Sequence, residues 1–339
     1  MTATSPRFDF ASDNTAGCAP EALQSLIEAN SGFTSGYGTD NVTSKAADLV
    51  RELLDADADV RFVASGTAAN AVACAALCRP FESVLAHRHA HICTDETGAP
   101  GFFGHGLGLI ALPGASGKIE PDALAIALEA PEASYRQSAA ALSLTNATEY
   151  GTVYTAAAIT ELTGLARAKG LPVHLDGARL ANAAAAGFDV RAIKDMGVDI
   201  LVLGGTKAGM PLSEAIVLFD KTLSRRFDAR LKQAGQLPSK GRFISSPWIG
   251  MLESGAWSRS AVHANAMAQK LAGLTPFPIA HPVEANALFV TMDEPTLLRL
   301  RALGWFVYRF TDGSVRFMCS WATTQGAVEE LGEALKAVA

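Results

Sequence analysis

Between about residues 60 and 220, short apolar runs of strand length alternate with helical stretches, and few architectures accept that pattern. The runs RFVA, SVLA, LGLIAL, AALSLT, PVHLD, DILVLGG and EAIVLF are Leu-rich or β-branched. They lack clean apolar–polar alternation, as expected of strands covered on both faces. Helical stretches fit between most of them: TAANAVACAALC, PDALAIALEA and TAAAITELTGLARAKG, the last closed by Gly170 and followed by Pro172. The alternation predicts βαβ units and a parallel sheet, an α/β fold. Beyond residue 245 the pattern changes. A long helical stretch from Trp248 to Leu274 precedes a strand (ALFVT), a helix (PTLLRLRALG), two further strands (WFVYRF and SVRFMCS) and a closing helix. This predicts a large domain with an N-terminal segment over 1–245 and a smaller α+β domain over 246–339, which a chain of 339 residues accommodates.

Charge narrows the partners. A net charge of −6 without a long Lys/Arg run argues against nucleic acid and anionic membrane and favours a small molecule. The start MTATSPRFDF has no apolar leader core, and stretches such as LGLIAL and ILVLGG are too short to span a bilayer, so a cytoplasmic protein is expected. Cys18, Cys74, Cys78, Cys93 and Cys319 are scattered and odd in number, which suits free thiols in a reducing compartment. Cys74 and Cys78 share a helical face, where packing explains them.

Four sites follow predicted strands, and open parallel sheets bind ligands at that edge. Ser65, Gly66 and Thr67 form a turn at a helix start, offering N–H groups and the positive end of the helix dipole to a phosphate; alone, the turn reads first as an ordinary N-cap. Asp176 ends the strand PVHLD, where a carboxylate can pair with a protonated pyridine nitrogen, and Arg179 lies three residues on. Lys207 follows DILVLGG. A lysine in an apolar pocket has its pKa lowered towards the free amine, and its glycines let backbone pass close to a ligand. Together, Asp176 and Lys207 one βα unit apart point to pyridoxal phosphate (PLP).

The fourth site is HRHAHICTDETGAP. Its histidines at 87, 89 and 91 match no established zinc-ligand spacing, so no metal is expected. His91 is the candidate to stack on a cofactor ring. GHGLG and GASGK match neither the dinucleotide fingerprint nor a P-loop and read as turns.

In order along nearly the whole chain, FASDN, YGTDN, SGTAAN, AHICTDETGAP, TNATEYGTVY, HLDGAR, GGTKAGM, KQAGQLPSKGRF, PVEAN and RFMCSW resemble the low-specificity L-threonine aldolases, in the branch that includes phenylserine aldolases. The resemblance implies a fold-type-I PLP architecture with active sites shared between subunits of a homodimer or homotetramer. It implies Lys207 as the Schiff-base lysine, Asp176 as the partner of the pyridine nitrogen, Gly66 and Thr67 at the phosphate, and Arg242 reaching the phosphate from a neighbouring subunit. Ser12, Arg179 and Arg316 fall where the family binds the substrate carboxylate, and Tyr37 matches a tyrosine lining the neighbouring site. The best-described branch has a histidine after the strand that here reads ALSLTNATEYG; this chain has Thr148, Glu149 and Tyr150 instead.

The expected reaction is retro-aldol cleavage of a β-hydroxy-α-amino acid to glycine and an aldehyde, with His91 as first candidate for the base and Asp95 or Glu96 as second. Rival readings are β-elimination or transamination on the same scaffold, or a non-catalytic PLP-fold binding protein.

Overall fold

The computed structural model describes residues 5–131 and 133–339. All seven runs between about residues 60 and 220 form strands: β1 (Asp59–Val63), β2 (Glu82–His87), β3 (Gly108–Leu112), β4 (Ser138–Thr145), β5 (Val173–Gly177), β6 (Ile200–Gly204) and β7 (Glu214–Leu218). They assemble in the order β1-β7-β6-β5-β4-β2-β3, so β5, which ends in Asp176-Gly177, lies in the middle. Every residue of β5, β6 and β7 is buried, which is why these runs read as continuously apolar.

One strand departs from the expected parallel arrangement. β7 runs antiparallel to both β6 and β1. Its connection from β6 spans only residues 205–213, shorter than the dozen or so residues a parallel crossover needs. The chain must turn straight back, and that short return carries Lys207.

Three further strands, β8 (Ala287–Val290), β9 (Tyr308–Arg309) and β10 (Val315–Met318), make a small antiparallel sheet in the order β8-β10-β9. The run WFVYRF contributes less strand than expected, because Trp305 instead bridges Arg7 and packs on Phe10. The expected helix from Trp248 to Leu274 is two helices, Arg242–Glu253 and Ala256–Leu274. Gly255, at φ +71°, takes the left-handed turn that separates them. The N-terminal residues, assigned no element from sequence, form helices Pro20–Ala29 and Asn41–Leu54, both packed on Arg242–Glu253. No helix among the described residues is long and apolar enough to cross a membrane.

The two largest apolar clusters lie one on the seven-stranded sheet and one around the small sheet, and smaller ones cover the rest of the large sheet and join Tyr150 to Phe289 and Met318. The helix Ala256–Leu274 joins the two largest, with Trp257 and Ala261 in the first and Ala264, Ala268 and Leu271 in the second. Phe10 enters the second core from the N-terminal segment, which brings residues 11–16 to the seam between the two sheets.

The glycine pair before Lys207 has a role the sequence reading gave only to a ligand. A Cβ on Gly204 would lie 2.3 Å from the Ala178 carbonyl oxygen, and one on Gly205 would lie 2.3 Å from that of Ser213. Close backbone packing therefore holds the end of β6 against the chain leaving β5. Gly204→Ala is expected to lower stability by about 1–3 kcal/mol through overpacking, read as a lower denaturation midpoint. An unchanged midpoint would show slack at this crossing.

Candidate active site

The C-terminal edge of the sheet opens into a cleft lined by Gly66, Thr67, Asn70, His91, Thr145, Ala147, Glu149, Asp176, Ala178, Arg179, Val202, Lys207 and Glu214. Asp176, Lys207, His91, Arg179 and the Gly66-Thr67 turn, separated widely in sequence, thus share one cavity.

Ser65 caps the helix Gly66–Leu77, its Oγ accepting from the Ala68 N–H at 3.4 Å. The first N–H groups of a helix have no carbonyl partner within it, so the Gly66-Thr67 end presents donors to the cleft. A Cβ on Gly66 would meet nothing within 4 Å, so the turn borders open space.

Asp176 is buried, and both carboxylate oxygens are engaged. Oδ1 accepts from the Ala178 N–H at 2.9 Å and Oδ2 from Asn70 Nδ2 at 2.9 Å. Asn70 also donates to Glu96 Oε1 at 2.9 Å, and the same oxygen lies 2.8 Å from His91 Nδ1. A hydrogen-bond chain therefore runs from the centre of the sheet to the imidazole. The hydrogen bond to Glu96 raises the His91 pKa above its ordinary value, favouring the imidazolium, although burial opposes it. Burial in turn raises that of Glu96.

Lys207 lies in the short return between β6 and β7. Burial, with the nearby Arg179 charge, lowers its pKa and favours the free amine. Glu214, at the start of β7, accepts from the Gly205 N–H at 2.8 Å, and burial pushes its carboxyl up to about 7.

Arg179 makes a two-point pair with Asp13, Nε to Oδ2 at 2.7 Å and a terminal nitrogen to Oδ1 at 3.0 Å. Asn286 donates a third hydrogen bond to Asp13 at 3.2 Å. Burial alone would raise the Asp13 carboxyl, but the Arg179 guanidinium overrides it and holds it at about 2. Ser12 precedes this aspartate and caps its turn, accepting from the Asn14 N–H. Arg316, on β10, donates to the Ala11 carbonyl at 3.3 Å, while its Nε is buried without a partner. Burial, then repulsion from Arg179, lowers its pKa. Arg179, Arg316 and the Ser12-Asp13 turn therefore converge where the N-terminal segment meets both sheets.

Other candidates lie elsewhere. Asp95 is exposed at the end of the short helix His91–Thr94, where Thr94 donates to it. Glu96 sits behind His91 and does not line the cleft. His87 is within 3.1 Å of the Gly114 carbonyl and His89 Nδ1 within 2.6 Å of the Tyr150 hydroxyl, so of the three histidines only His91 lines the cleft. Cys74 and Cys78 are buried, and desolvation raises both thiols, Cys78 to about 12. Tyr37 is half exposed beside Gly241 in a different cleft, its N–H donating to the Ser239 carbonyl, and Arg242 follows at the start of its helix.

Sequence reasoning missed Asn70, Asp13 and Glu214 and noted Glu149 only as a departure. Asn70 had a signal: it stands one helical turn beyond Gly66 and Thr67, on the face that meets the cleft. Asp13 had only its position beside Ser12.

The family model for beta-eliminating lyases matches residues 9–295. A low specificity L-threonine aldolase from a Pseudomonas strain is 42% identical over 337 residues, covering 97% of each chain. Another of that name from Pseudomonas aeruginosa is 43% identical over the same share. A threonine aldolase structure from Leishmania major superposes with a TM-score of 0.91 at 30% identity, covering 97% of this chain and 99% of that one. With the model spanning most of its length and relatives matching it end to end, the chain belongs to the beta-eliminating lyase family, among the low specificity L-threonine aldolases.

Proposed function

We propose that the protein is a PLP-dependent aldehyde-lyase that cleaves β-hydroxy-α-amino acids of the threonine, allo-threonine or phenylserine type to glycine and an aldehyde. The observation that carries this reading is the convergence of a partly buried lysine, a doubly hydrogen-bonded aspartate and a helix N-terminus on one cleft. These residues fit the cofactor. Lys207 would hold its aldehyde carbon, Asp176 would keep a proton on its ring nitrogen, and Ser65, Gly66 and Thr67 would receive its phosphate at a turn bordering open space. When bound, PLP supplies an electron sink for the pair released at Cα.

The remaining chemistry belongs to the protein. Arg179, fixed by Asp13, and Arg316, whose Nε lacks a partner, are suited to clamp the substrate carboxylate, with Ser12 beside them. Such a clamp would fix the orientation of the substrate and so select which Cα bond breaks. His91, braced by Glu96, covers one side of the cleft. Tyr37 and Arg242 lie together away from this cleft, which supports their service to a second copy in a homodimer or homotetramer. The distinct apolar cluster around the small sheet supports a large part over 1–245 and a small one over 246–339, and five free cysteines support a reducing, cytoplasmic setting.

Incubation with L-threonine, L-allo-threonine or phenylserine is expected to release glycine and the matching aldehyde in equal amounts; keto acid or ammonia as the main product would replace this reading with elimination or transamination. Lys207→Ala is expected to lower cleavage by at least about 10³-fold and to abolish the visible absorbance of bound PLP. Retention of both would remove Lys207 from the site.

Asp13→Asn leaves the Arg179 guanidinium buried without its anion, which is expected to cost about 3–5 kcal/mol and to raise KM by weakening the carboxylate clamp. The Asp13 value of about 2 lies below its ordinary 3.8, so the pair stabilises the fold fully above 3.8 and loses that contribution as pH falls through about 2. The gap in denaturation midpoint between wild type and variant should close over that window. A gap independent of pH would show that the charge of Asp13 contributes nothing.

A further inference from the structure

Retro-aldol cleavage requires a base for the β-hydroxyl proton, and the residues expected to supply it are either engaged elsewhere or outside the cleft. The His91 Nδ1 is committed to Glu96, which leaves only Nε2 as an acceptor, and that hydrogen bond raises the His91 pKa and so shrinks the fraction of imidazole with a lone pair to accept a proton. Asp95 is exposed outside the cleft, and Glu96 lies behind His91 with one oxygen engaged by both His91 and Asn70.

Glu149 differs from all three. It follows β4, lines the same cleft as Lys207 and His91, and is 7% exposed. Its Oε1 accepts from the His91 backbone N–H at 2.8 Å, which anchors the carboxylate. Its Oε2 is buried and has no hydrogen-bond partner. A buried carboxylate oxygen without a donor is costly, and in native proteins such groups cluster where a ligand or reaction supplies the partner.

We propose that Glu149 is the catalytic base for the aldol step, its Oε2 accepting the proton of the substrate β-hydroxyl. This deepens the aldolase reading and rests on it. As Oε2 takes the O–H proton, the oxygen's electrons form the aldehyde C=O. The Cα–Cβ bond breaks, and its pair remains on Cα in conjugation with the electron sink. A proton then returns to Cα to give glycine, so the reaction is redox-neutral and needs no co-reactant.

The electrostatics of the pocket suit this role. Burial, then the Asp176 charge, pushes Glu149 up to about 7, while His91 opposes the rise. The ionisable groups around it are Asp176 at the end of β5, Lys207 and Glu214 in the same cleft, His91 and Cys93 on the short helix, Arg179, and Tyr150 and Tyr154 on its own segment. Protonated and ionised forms of Glu149 therefore coexist near neutrality, where a general base is most effective.

The decisive comparison uses the holoenzyme and two reactions. Exchange of the glycine α-proton in D2O needs the cofactor, Lys207 and the carboxylate clamp but no β-hydroxyl; cleavage of phenylserine needs all of them and the base. In Glu149→Gln the side-chain carbonyl can still accept from the His91 N–H while the basic oxygen is lost. Cleavage is expected to fall by about 10²–10⁴-fold, with glycine exchange within about threefold of wild type. The acid limb of the wild-type kcat/KM profile near the Glu149 value of about 7 should vanish. A wild-type minus variant infrared difference spectrum, read without turnover, should show a carboxyl titrating in the same range. Equal loss of both reactions would reduce Glu149 to a structural role, and retained cleavage would remove it from the mechanism. Should Glu149→Gln not fold, Glu149→Asp answers the same question: selective loss of cleavage supports the proposal and parallel loss overturns it. Failure of the aldolase reading is distinct, since wild type itself would then release no aldehyde.

Discussion

A carboxylate at the middle of a buried sheet cannot stand alone, and the site is organised by how Asp176 is satisfied. Desolvating it without partners would cost several kcal/mol. The Ala178 N–H fills one oxygen, which fixes the turn leaving β5, and Asn70 fills the other, which ties the helix Gly66–Leu77 to the strand end. The second N–H of the Asn70 amide is committed to Glu96, and Glu96 sets the His91 ring through Nδ1. One buried charge therefore propagates its geometry through three side chains to the far wall of the cleft. Moving Asn70 would unsettle the aspartate and the imidazole together.

The opposite wall solves the same problem with a cation. Arg179 is buried and needs an anion, which arrives from the N-terminal segment as Asp13, 166 residues away. That segment is itself held by Phe10 in the second core and by the Arg316 hydrogen bond to Ala11. The guanidinium thus joins the large sheet to the small one at the cleft mouth. Its charge also acts on Lys207, favouring the uncharged amine that covalent chemistry requires.

What could be read from the sequence was whatever local spacing encodes. Strands β5 to β7 were legible because burial on both faces demands continuous apolar runs, the partly exposed β1, β3 and β4 because they are short apolar runs between helical stretches, and Asp176 and Lys207 because one ends such a run and the other stands just beyond one. The reversed direction of β7 was less so: the brevity of the 205–213 connection was visible, but the parallel expectation dominated. Gly255 marked a helix break inside an otherwise helical stretch, where a single glycine is often tolerated. The partners of Asn70 and Asp13 were not legible at all, since their hydrogen bonds cross 106 and 166 residues and follow from tertiary closure alone.

Asp13 and Glu149 show why residue type underdetermines chemistry. Both are buried carboxylates near Arg179, yet one is held at about 2 and the other pushed to about 7. The difference lies in their immediate partners. Asp13 receives both arms of the guanidinium and an amide, so ionisation is stabilised at each oxygen. Glu149 receives one backbone N–H, faces Asp176, and keeps an oxygen with no donor. The first arrangement makes a permanent anion, suited to fixing a cation in place. The second makes a group whose charge is nearly balanced between states at neutral pH, and environments that drive two carboxyls apart in this way separate holding from proton transfer.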